Sequence, residues 1–290
     1  MAPCGTRSLL RTQAKMLKTI LVGLNGSSSC RTATATALSW ARQHNAQVVG
    51  LAVVDPDSTA SDDFESAESA VLSDDRSASV GAQHAEMLLH EFEWSCLSAG
   101  LTATNAQEIG DPGSVLSRHS QSADLLFVGL SRRLNTPVMS PLSETLDKVL
   151  TNAIHPVVCV PTTVTPGEAI LVAYDGSIQA ARTLFAFAGL ELFPEHPIHL
   201  IAIDKEPGQH EEALMLAAKY LTARGYQTQT KQIAVQSCGI AATLMQQVSV
   251  VQPRLLVCGV FGKSWMRPVL CGSVTKALLH EVSVPIFLYH

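Results

Sequence analysis

Two segments decide the fold: KTILVGLNGS at residues 18–27 and EAILVAYDGS at residues 168–177, the second of which repeats the first. Each is an apolar run that is followed by Asn or Asp and then by Gly-Ser. Val/Ile/Leu runs without polar alternation are typical of strands that are buried on both faces of a parallel sheet. One such strand in each half of the 290-residue chain predicts an internal duplication.

Further paired segments follow each Gly-Ser in the same order. A helical stretch comes first, and a second apolar strand that ends in aspartate comes after it. Regular separation of apolar strands by helical stretches predicts βαβ units with right-handed crossovers, and therefore an α/β fold with doubly wound parallel sheets. The paired strands after the first are residues 47–55 and 199–204, 124–130 and 254–260, and 155–161 and 284–290.

The repeat also predicts the domain boundaries. The first domain is expected at 17–161, the polar stretch TTVTPGE at 162–168 suits a linker, and the second domain is expected at 169–290. Residues 1–16 are basic but lack an apolar core, so a disordered tail or an upstream start is favoured over a targeting peptide. Because each final strand would leave an open sheet edge, we predict that the two final strands meet across a pseudo-twofold axis.

A stretch rich in Ser, Asp and Glu follows Asp55 in the first half alone. It predicts a mobile acidic loop that lasts until a helix begins near Val80. A lid or phosphorylation segment and a solvated surface insertion are both compatible with this composition.

Composition limits the class of protein. Apolar residues make up 47% of the chain and the net charge is only −5, which is typical of a soluble globular protein and not of a basic nucleic-acid binder. No apolar run is long enough to span a membrane. The seven cysteines are scattered without a C-x-x-C pair, so neither a disulfide framework nor a zinc site is indicated. We therefore expect a cytoplasmic protein that binds neither nucleic acid nor membranes.

A glycine pattern in the second half indicates a phosphate site. Gly259 follows the apolar run that ends at Cys258, and Gly262 and then Gly272-Ser273 come after it, before a helical stretch. Glycine lets backbone N–H groups approach an anion, and a helix N-terminus adds unpaired donors and partial positive charge. An ordinary strand-to-helix turn is the alternative.

Other candidate residues follow the strands of the second half, where open parallel sheets bind ligands. Ala202 is small enough to leave room for a flat ring. A carboxylate at Asp175 would be opposed by roughly 4 kcal/mol beside a phosphate charge, so it must bind ribose, the base edge or a bridging magnesium ion. Lys263 supplies positive charge on the phosphate side.

From these motifs, both halves resemble the universal stress protein family, and the chain is similar to its tandem two-domain members over residues 17–290. The resemblance implies two tandem five-stranded parallel sheets of the adenine nucleotide alpha hydrolase-like type, related by a pseudo-twofold axis. It also implies ATP binding in members with the glycine pattern, and dimerisation through the last strands. The positions expected to contact nucleotide are Tyr174, Asp175, Ala202, Cys258, Gly259, Gly262, Lys263, Gly272, Ser273 and Val274.

The first half departs from the family pattern. Asn25 replaces the aspartate, Arg132 stands at the second glycine, and Leu142 stands at the third. A leucine forced to positive φ costs roughly 1 to 2 kcal/mol, and both side chains would take up space that phosphate needs. We expect no ATP in the first half.

The leading hypothesis is a stress-response or regulatory module that binds ATP, ADP or AMP in its second half, with Mg²⁺ held through Asp175 and the nucleotide. No catalytic residue is identified. The alternatives are a slow ATPase or autophosphorylating protein, and an interaction protein that binds no nucleotide. The expected assembly is a homodimer or an intramolecular pseudo-dimer.

Overall fold

A computed structural model of the protein describes residues 17–56, 74–130, 141–260 and 273–290. Strands and helices alternate along these segments, as the repeat predicts. The strands are β1 (Thr19–Leu24), β2 (Gln47–Val54), β3 (Ala103–Ile109), β4 (Leu125–Leu130), β5 (Val157–Pro161), β6 (Ile170–Ala173), β7 (Ile198–Asp204), β8 (Thr228–Ala234), β9 (Leu255–Gly259) and β10 (Ile286–Tyr289). The helices are α1 (Ser28–His44), α2 (Asp74–Ser98), α3 (Pro112–His119), α4 (Pro141–Asn152), α5 (Ile178–Gly189), α6 (Glu211–Ala223), α7 (Gly239–Val251) and α8 (Ser273–Glu281).

The ten strands form one continuous sheet in the order β3-β2-β1-β4-β5-β10-β9-β6-β7-β8. Within each half the neighbouring strands are parallel. The two halves join where β5 and β10 pair in antiparallel register, with Phe287 opposite Val158. The predicted pair of five-stranded parallel sheets is confirmed, and so is the meeting of the two final strands.

Each half is doubly wound, because its helices divide between the two faces of the sheet. Buried residues of α1, α2, α5 and α6 belong to one apolar cluster, which we call the α1 face. Buried residues of α3, α4, α7 and α8 belong to the other cluster, which we call the α3 face. A parallel sheet needs both faces covered, and this arrangement covers them.

The α1 face is continuous across the two halves. Trp40 of α1 makes edge-to-face contacts with Phe127 of the first half and Phe193 of the second, with ring centroids 5.1 and 4.7 Å apart. Phe193 has a φ of 52°, and the Arg254 guanidinium lies 4.5 Å from its ring centroid. Burying this ring between an indole and a cation offsets a backbone cost of about 1–2 kcal/mol.

Helix α2 begins earlier than the sequence predicts, at Asp74 instead of near Val80. The prediction of an acidic loop is therefore wrong for residues 74–79, and the rest of the stretch, 57–73, lies outside the described residues.

No helix in the described segments is both long and apolar enough to cross a lipid bilayer.

Tyr226 gives the fold a pH-dependent contribution to stability. Its buried hydroxyl donates a hydrogen bond of 3.0 Å to the Leu192 carbonyl. Burial above all, and then the charge of Glu191, raises the pKa of Tyr226 above its ordinary value of 10.0. The stabilisation by the neutral phenol is thus complete below about pH 10 and is lost as the pH rises through the raised folded-state pKa.

We expect Tyr226→Phe to cost about 1 kcal/mol at pH 7, because the Leu192 carbonyl loses its donor. The variant should also lose less stability than the wild type above about pH 10. Urea unfolding at pH 7 and across the alkaline range measures both effects. Equal alkaline losses in the two proteins would show that Tyr226 does not titrate with unfolding.

Candidate functional site

The candidate site lies at the carboxyl edge of the second half, between β6 and β9. There the chain leaves β6 for α5 on the α1 face, whereas β9 precedes α8 on the α3 face. Ala173, the last residue of β6, pairs with both Ile201 of β7 and Cys258 of β9. The strand order reverses at this point, which is where open α/β sheets bind ligands.

The turn after β6 positions Asp175. Its Oδ1 accepts a hydrogen bond of 3.0 Å from the Ser177 backbone N–H, and Ser177 in turn caps α5 by accepting from Ala180 N–H. Gly176 has a φ of 68° in this turn. The carboxylate itself is exposed to solvent.

The corresponding turn of the first half has the same geometry with an amide. Asn25 Oδ1 accepts from Ser27 N–H at 3.2 Å, and Ser27 caps α1. An uncharged side chain is therefore sufficient for the turn. The negative charge of Asp175 is not needed for the local structure and remains available to a ligand.

Tyr174 and Ala202 lie on the α1 face, and Cys258 lies on the other. Ala202 is 1% exposed within the α1-face cluster, and Tyr174 packs against that cluster. Cys258 belongs to the α3-face cluster. The three strand ends lie together, as the sequence suggests. The side chains of Ala202 and Cys258, however, point to opposite sides of the sheet. A ligand between them would therefore contact the backbone of at least one of the two strands. Burial, and then the charge of Asp175, raises the pKa of Tyr174.

Gly259 is required by packing. A Cβ on this residue would lie 2.9 Å from the Ala180 nitrogen at the start of α5. Gly129 occupies the same place in the first half, where a Cβ would lie 2.5 Å from the Cys30 nitrogen of α1. Because the first half has this glycine without the rest of the pattern, Gly259 by itself does not indicate a phosphate site.

The remaining candidates fall at or near a gap in the described residues. Gly262, Lys263 and Gly272 lie outside them. Ser273 is the first residue of α8, as the glycine pattern predicts. Val274 is partly buried and packs against the α3-face cluster, so its side chain contributes to the core.

The first half differs from the second at Leu142. This residue lies inside α4, which begins at Pro141, whereas α8 begins at Ser273, the counterpart of Ser143. Leu142 is therefore helical, and the cost of a leucine forced to positive φ does not arise here. Proline has a φ that suits the first turn of a helix, so α4 extends two residues further than α8. Arg132 lies outside the described residues.

Sequence reasoning missed a buried Asp–His pair beside the site. Asp204 ends β7 on the α1 face with 4% exposure, and its Oδ1 lies 2.6 Å from Nδ1 of His210, the residue before α6. Among the residues that the structure describes, nothing hydrogen-bonds its buried Oδ2. The strand register places Val54 at the corresponding position of the first half, so the pair is specific to the second. The only sequence signal was an aspartate at a strand end.

The described parts of the chain hold no cluster of three or more His, Cys, Asp or Glu side chains that could bind a metal ion. As far as the described residues go, a metal ion beside Asp175 would need further oxygen ligands from elsewhere, such as a bound molecule or water.

Comparisons with known proteins agree with this architecture. A sequence model described as "Universal stress protein family" matches residues 16–161 and 168–290. A universal stress protein of Synechocystis sp. is 23% identical over 168 residues, which are 57% of this chain and 58% of that protein. The match thus spans little more than half of that relative's length.

A solved structure with the same fold covers nearly the whole chain. A universal stress protein from Archaeoglobus fulgidus, 18% identical, superposes with a TM-score of 0.72 over 96% of this chain and 98% of its own. A universal stress protein solved in complex with cAMP, 22% identical, covers 51% of this chain and 98% of its own with a TM-score of 0.37. A similarity at that level carries no conclusion about the ligand here.

Proposed function

Because this chain belongs to the universal stress protein family, we propose that it is a regulatory module that binds an adenine nucleotide in its second half. ATP, ADP and AMP share the adenosine and phosphate groups that such a site recognises. We place the first domain at 17–161, the linker at 162–168 and the second domain at 169–290, which contains the site.

The observation that carries this proposal is the asymmetry between two turns of equal geometry. Asp175 and Asn25 make the same hydrogen bond to the backbone two residues ahead, and only Asp175 has a charge. An exposed carboxylate at a strand-order reversal is well placed to accept hydrogen bonds from ribose hydroxyls. The glycine pattern with Ser273 follows β9 in the same half.

We propose the roles of these residues from their places in the sequence and, for those that the structure describes, in the fold. Tyr174 and Ala202 border the adenosine side on the α1 face, and the backbone of Cys258 and Gly259 forms the floor between the strands. Gly262, Gly272 and the N-terminus of α8 at Ser273 supply backbone donors for phosphate, and Lys263 adds positive charge. Val274 holds the first turn of α8 against the core.

Magnesium fits this donor set as part of a metal–nucleotide complex. Asp175 uses Oδ1 in its turn, and the residue is exposed to solvent. Mg²⁺ is commonly held by one or two carboxylates together with substrate phosphates and water. When bound, the ion would neutralise phosphate charge beside the carboxylate.

The first half is proposed to bind no ATP. Asn25 lacks the charge, and Arg132 and Leu142 replace two glycines. In addition, α4 starts at Pro141, so the first turn that would meet phosphate contains a residue without an N–H group.

The test is titration calorimetry with Mg²⁺-ATP on the wild type, Asp175→Asn and Gly272→Val. We expect one site per chain, about tenfold weaker binding for Asp175→Asn and no measurable binding for Gly272→Val. Because Asn25 supports the same turn, Asp175→Asn should keep the wild-type fold. Asn25→Ala is the matched control in the first half and should bind ATP as the wild type does. Absence of binding by the wild type, or equal binding by Gly272→Val, would overturn the proposal.

Incubation with labelled ATP separates the alternatives. A binding module should give a stable complex with unhydrolysed nucleotide. Multiple turnovers that are abolished in Asp175→Ala would instead identify a slow ATPase, and label retained on the protein would identify autophosphorylation. If the chain binds no nucleotide, the remaining alternative is an interaction protein.

A further inference from the structure

The first half has a groove of about 770 Å³ between α1 and α2, separate from the proposed nucleotide site. It follows the two helices on the outer surface of the α1 face, in the half that lacks the glycine pattern. Volumes of about 300–1,000 Å³ are typical of small-molecule sites.

The second half shows what normally closes this groove. There, Phe185 of α5 and Tyr220 of α6 stack edge to face with ring centroids 4.3 Å apart. Arg224 places its guanidinium 5.1 Å from the Tyr220 ring centroid. An aromatic pair capped by a cation therefore closes the gap between the two helices.

The first half has small residues at the matching positions. Ala35 matches Phe185, because each follows the serine cap of its helix by the same number of residues. The caps are Ser27 of α1 and Ser177 of α5. Ser95 matches Tyr220, because each precedes the last residue of its helix, α2 or α6, by the same number of residues. Both residues line the groove, so the space exists because two aromatic rings are absent.

The groove combines an apolar base with positive charge. Leu38, Leu88 and Phe92 line its base and are at most 8% exposed. Arg31 and Arg42 both line it from α1, eleven residues apart and hence on nearly the same side of the helix. Within the described segments, Arg42 makes no hydrogen bond or ion pair, and Arg31 donates to the Gly26 carbonyl.

One acidic residue, Glu91 of α2, also lines the groove. Arg31 lies near the start of α1, at the carboxyl edge of the sheet, and Glu91 lies close to the same end of α1, because its charge acts on Cys30. We call this the upper end of the groove. Arg42, Ser98 and Ala99 come late in their helices and line the lower end. The uncompensated positive charge is therefore at the lower end.

From these observations we infer that the groove between α1 and α2 binds a small planar aromatic anion. Its ring occupies the space that Phe185 and Tyr220 fill in the second half, and its acidic group pairs with Arg42. Guanidinium groups recognise carboxylates and sulfonates through paired N–H donors.

The probe is 1-anilinonaphthalene-8-sulfonate, an aromatic anion of this class, titrated by fluorescence and by calorimetry. We expect saturable binding of one molecule per chain to the wild type. The double variant Ala35→Phe with Ser95→Tyr rebuilds the aromatic pair of the second half and should weaken binding by at least about tenfold. An unchanged circular dichroism spectrum and melting temperature would establish that the variant is folded.

Charge is tested separately with Arg42→Gln. This variant should bind the anion about tenfold more weakly, whereas neutral N-phenyl-1-naphthylamine should bind it as it binds the wild type. Trp94→Ala removes an exposed ring of α2 that does not line the groove, and it should leave anion binding unchanged. The inference is overturned if the wild type shows no saturable binding, or if the filled variant binds as the wild type does. ATP should not compete with the probe, so this result is independent of the nucleotide site.

Discussion

Trp40→Ala is expected to lower the free energy of unfolding by about 3–5 kcal/mol, the range for truncating a large buried aromatic side chain. Trp40 is 4% exposed and contacts one aromatic ring in each half of the chain, Phe127 and Phe193. The cavity would open where the α1 face crosses between the halves. Neighbouring backbone cannot easily close it, since the sheet beneath is continuous.

Urea denaturation followed by far-ultraviolet circular dichroism measures this loss without relying on the fluorescence of the deleted indole. Trp94→Ala is the matched control, because Trp94 is 74% exposed and its removal should change stability by less than about 0.5 kcal/mol. A double-mutant cycle with Phe193→Ala should give a coupling energy of about 0.5–1.5 kcal/mol for the aromatic pair. Equal losses for the two tryptophan variants would contradict the packing described for Trp40.

Gly129→Ala is expected to destabilise the protein by about 3 kcal/mol, at the upper end of the range for overpacking. The new Cβ would lie 2.5 Å from the Cys30 nitrogen and 2.6 Å from the Ser29 carbonyl carbon. Both are backbone atoms at the start of α1, so the whole helix must move away from β4. Gly259→Ala should have a similar but smaller effect, because its closest contacts are 2.9 Å.

Gly189→Ala is the matched control for the glycine series. Gly189 has no atom within 4 Å of its Cβ position, so the substitution should cause no loss. Thermal and urea unfolding of the three variants provides the comparison. If Gly259→Ala folded with wild-type stability and lost only ATP binding, this glycine would serve the ligand and not the packing of α5.

Much of the fold could be predicted because the determining signals are local and occur twice. Apolar runs that are followed by Asx-Gly-Ser mark both β1 and β6, and the structure shows each turn closing on a serine cap. The open edges of the final strands were enough to predict that β5 and β10 pair. Such a pairing within one chain uses the strands through which family members are expected to dimerise, so a homodimer of this chain would need another surface.

The candidate site was less predictable, since it depends on which side chains share a face. Asp55 and Asp204 both follow apolar runs, but the strand register matches Asp204 with Val54. Nothing in the sequence shows that His210 contacts Asp204, because the two lie six positions apart across a loop. The groove between α1 and α2 could not be predicted from the sequence either. Ala35 and Ser95 indicate an open space only when α1 and α2 are compared with α5 and α6, their counterparts in the second half.

The sequence by itself determined the duplication, the order of strands and helices, and the position of the glycine pattern. These features depend on periodicity and on residues close in the chain, where apolar burial and turn chemistry act locally. Tertiary structure alone decided that the halves share one apolar face, and that Gly259 is needed for helix packing. It also decided that a groove lies open between α1 and α2, whereas Phe185 and Tyr220 fill the corresponding space between α5 and α6. The reason is that packing depends on distances between residues far apart in the chain, and at such distances the presence or absence of a single side chain decides whether a space is filled.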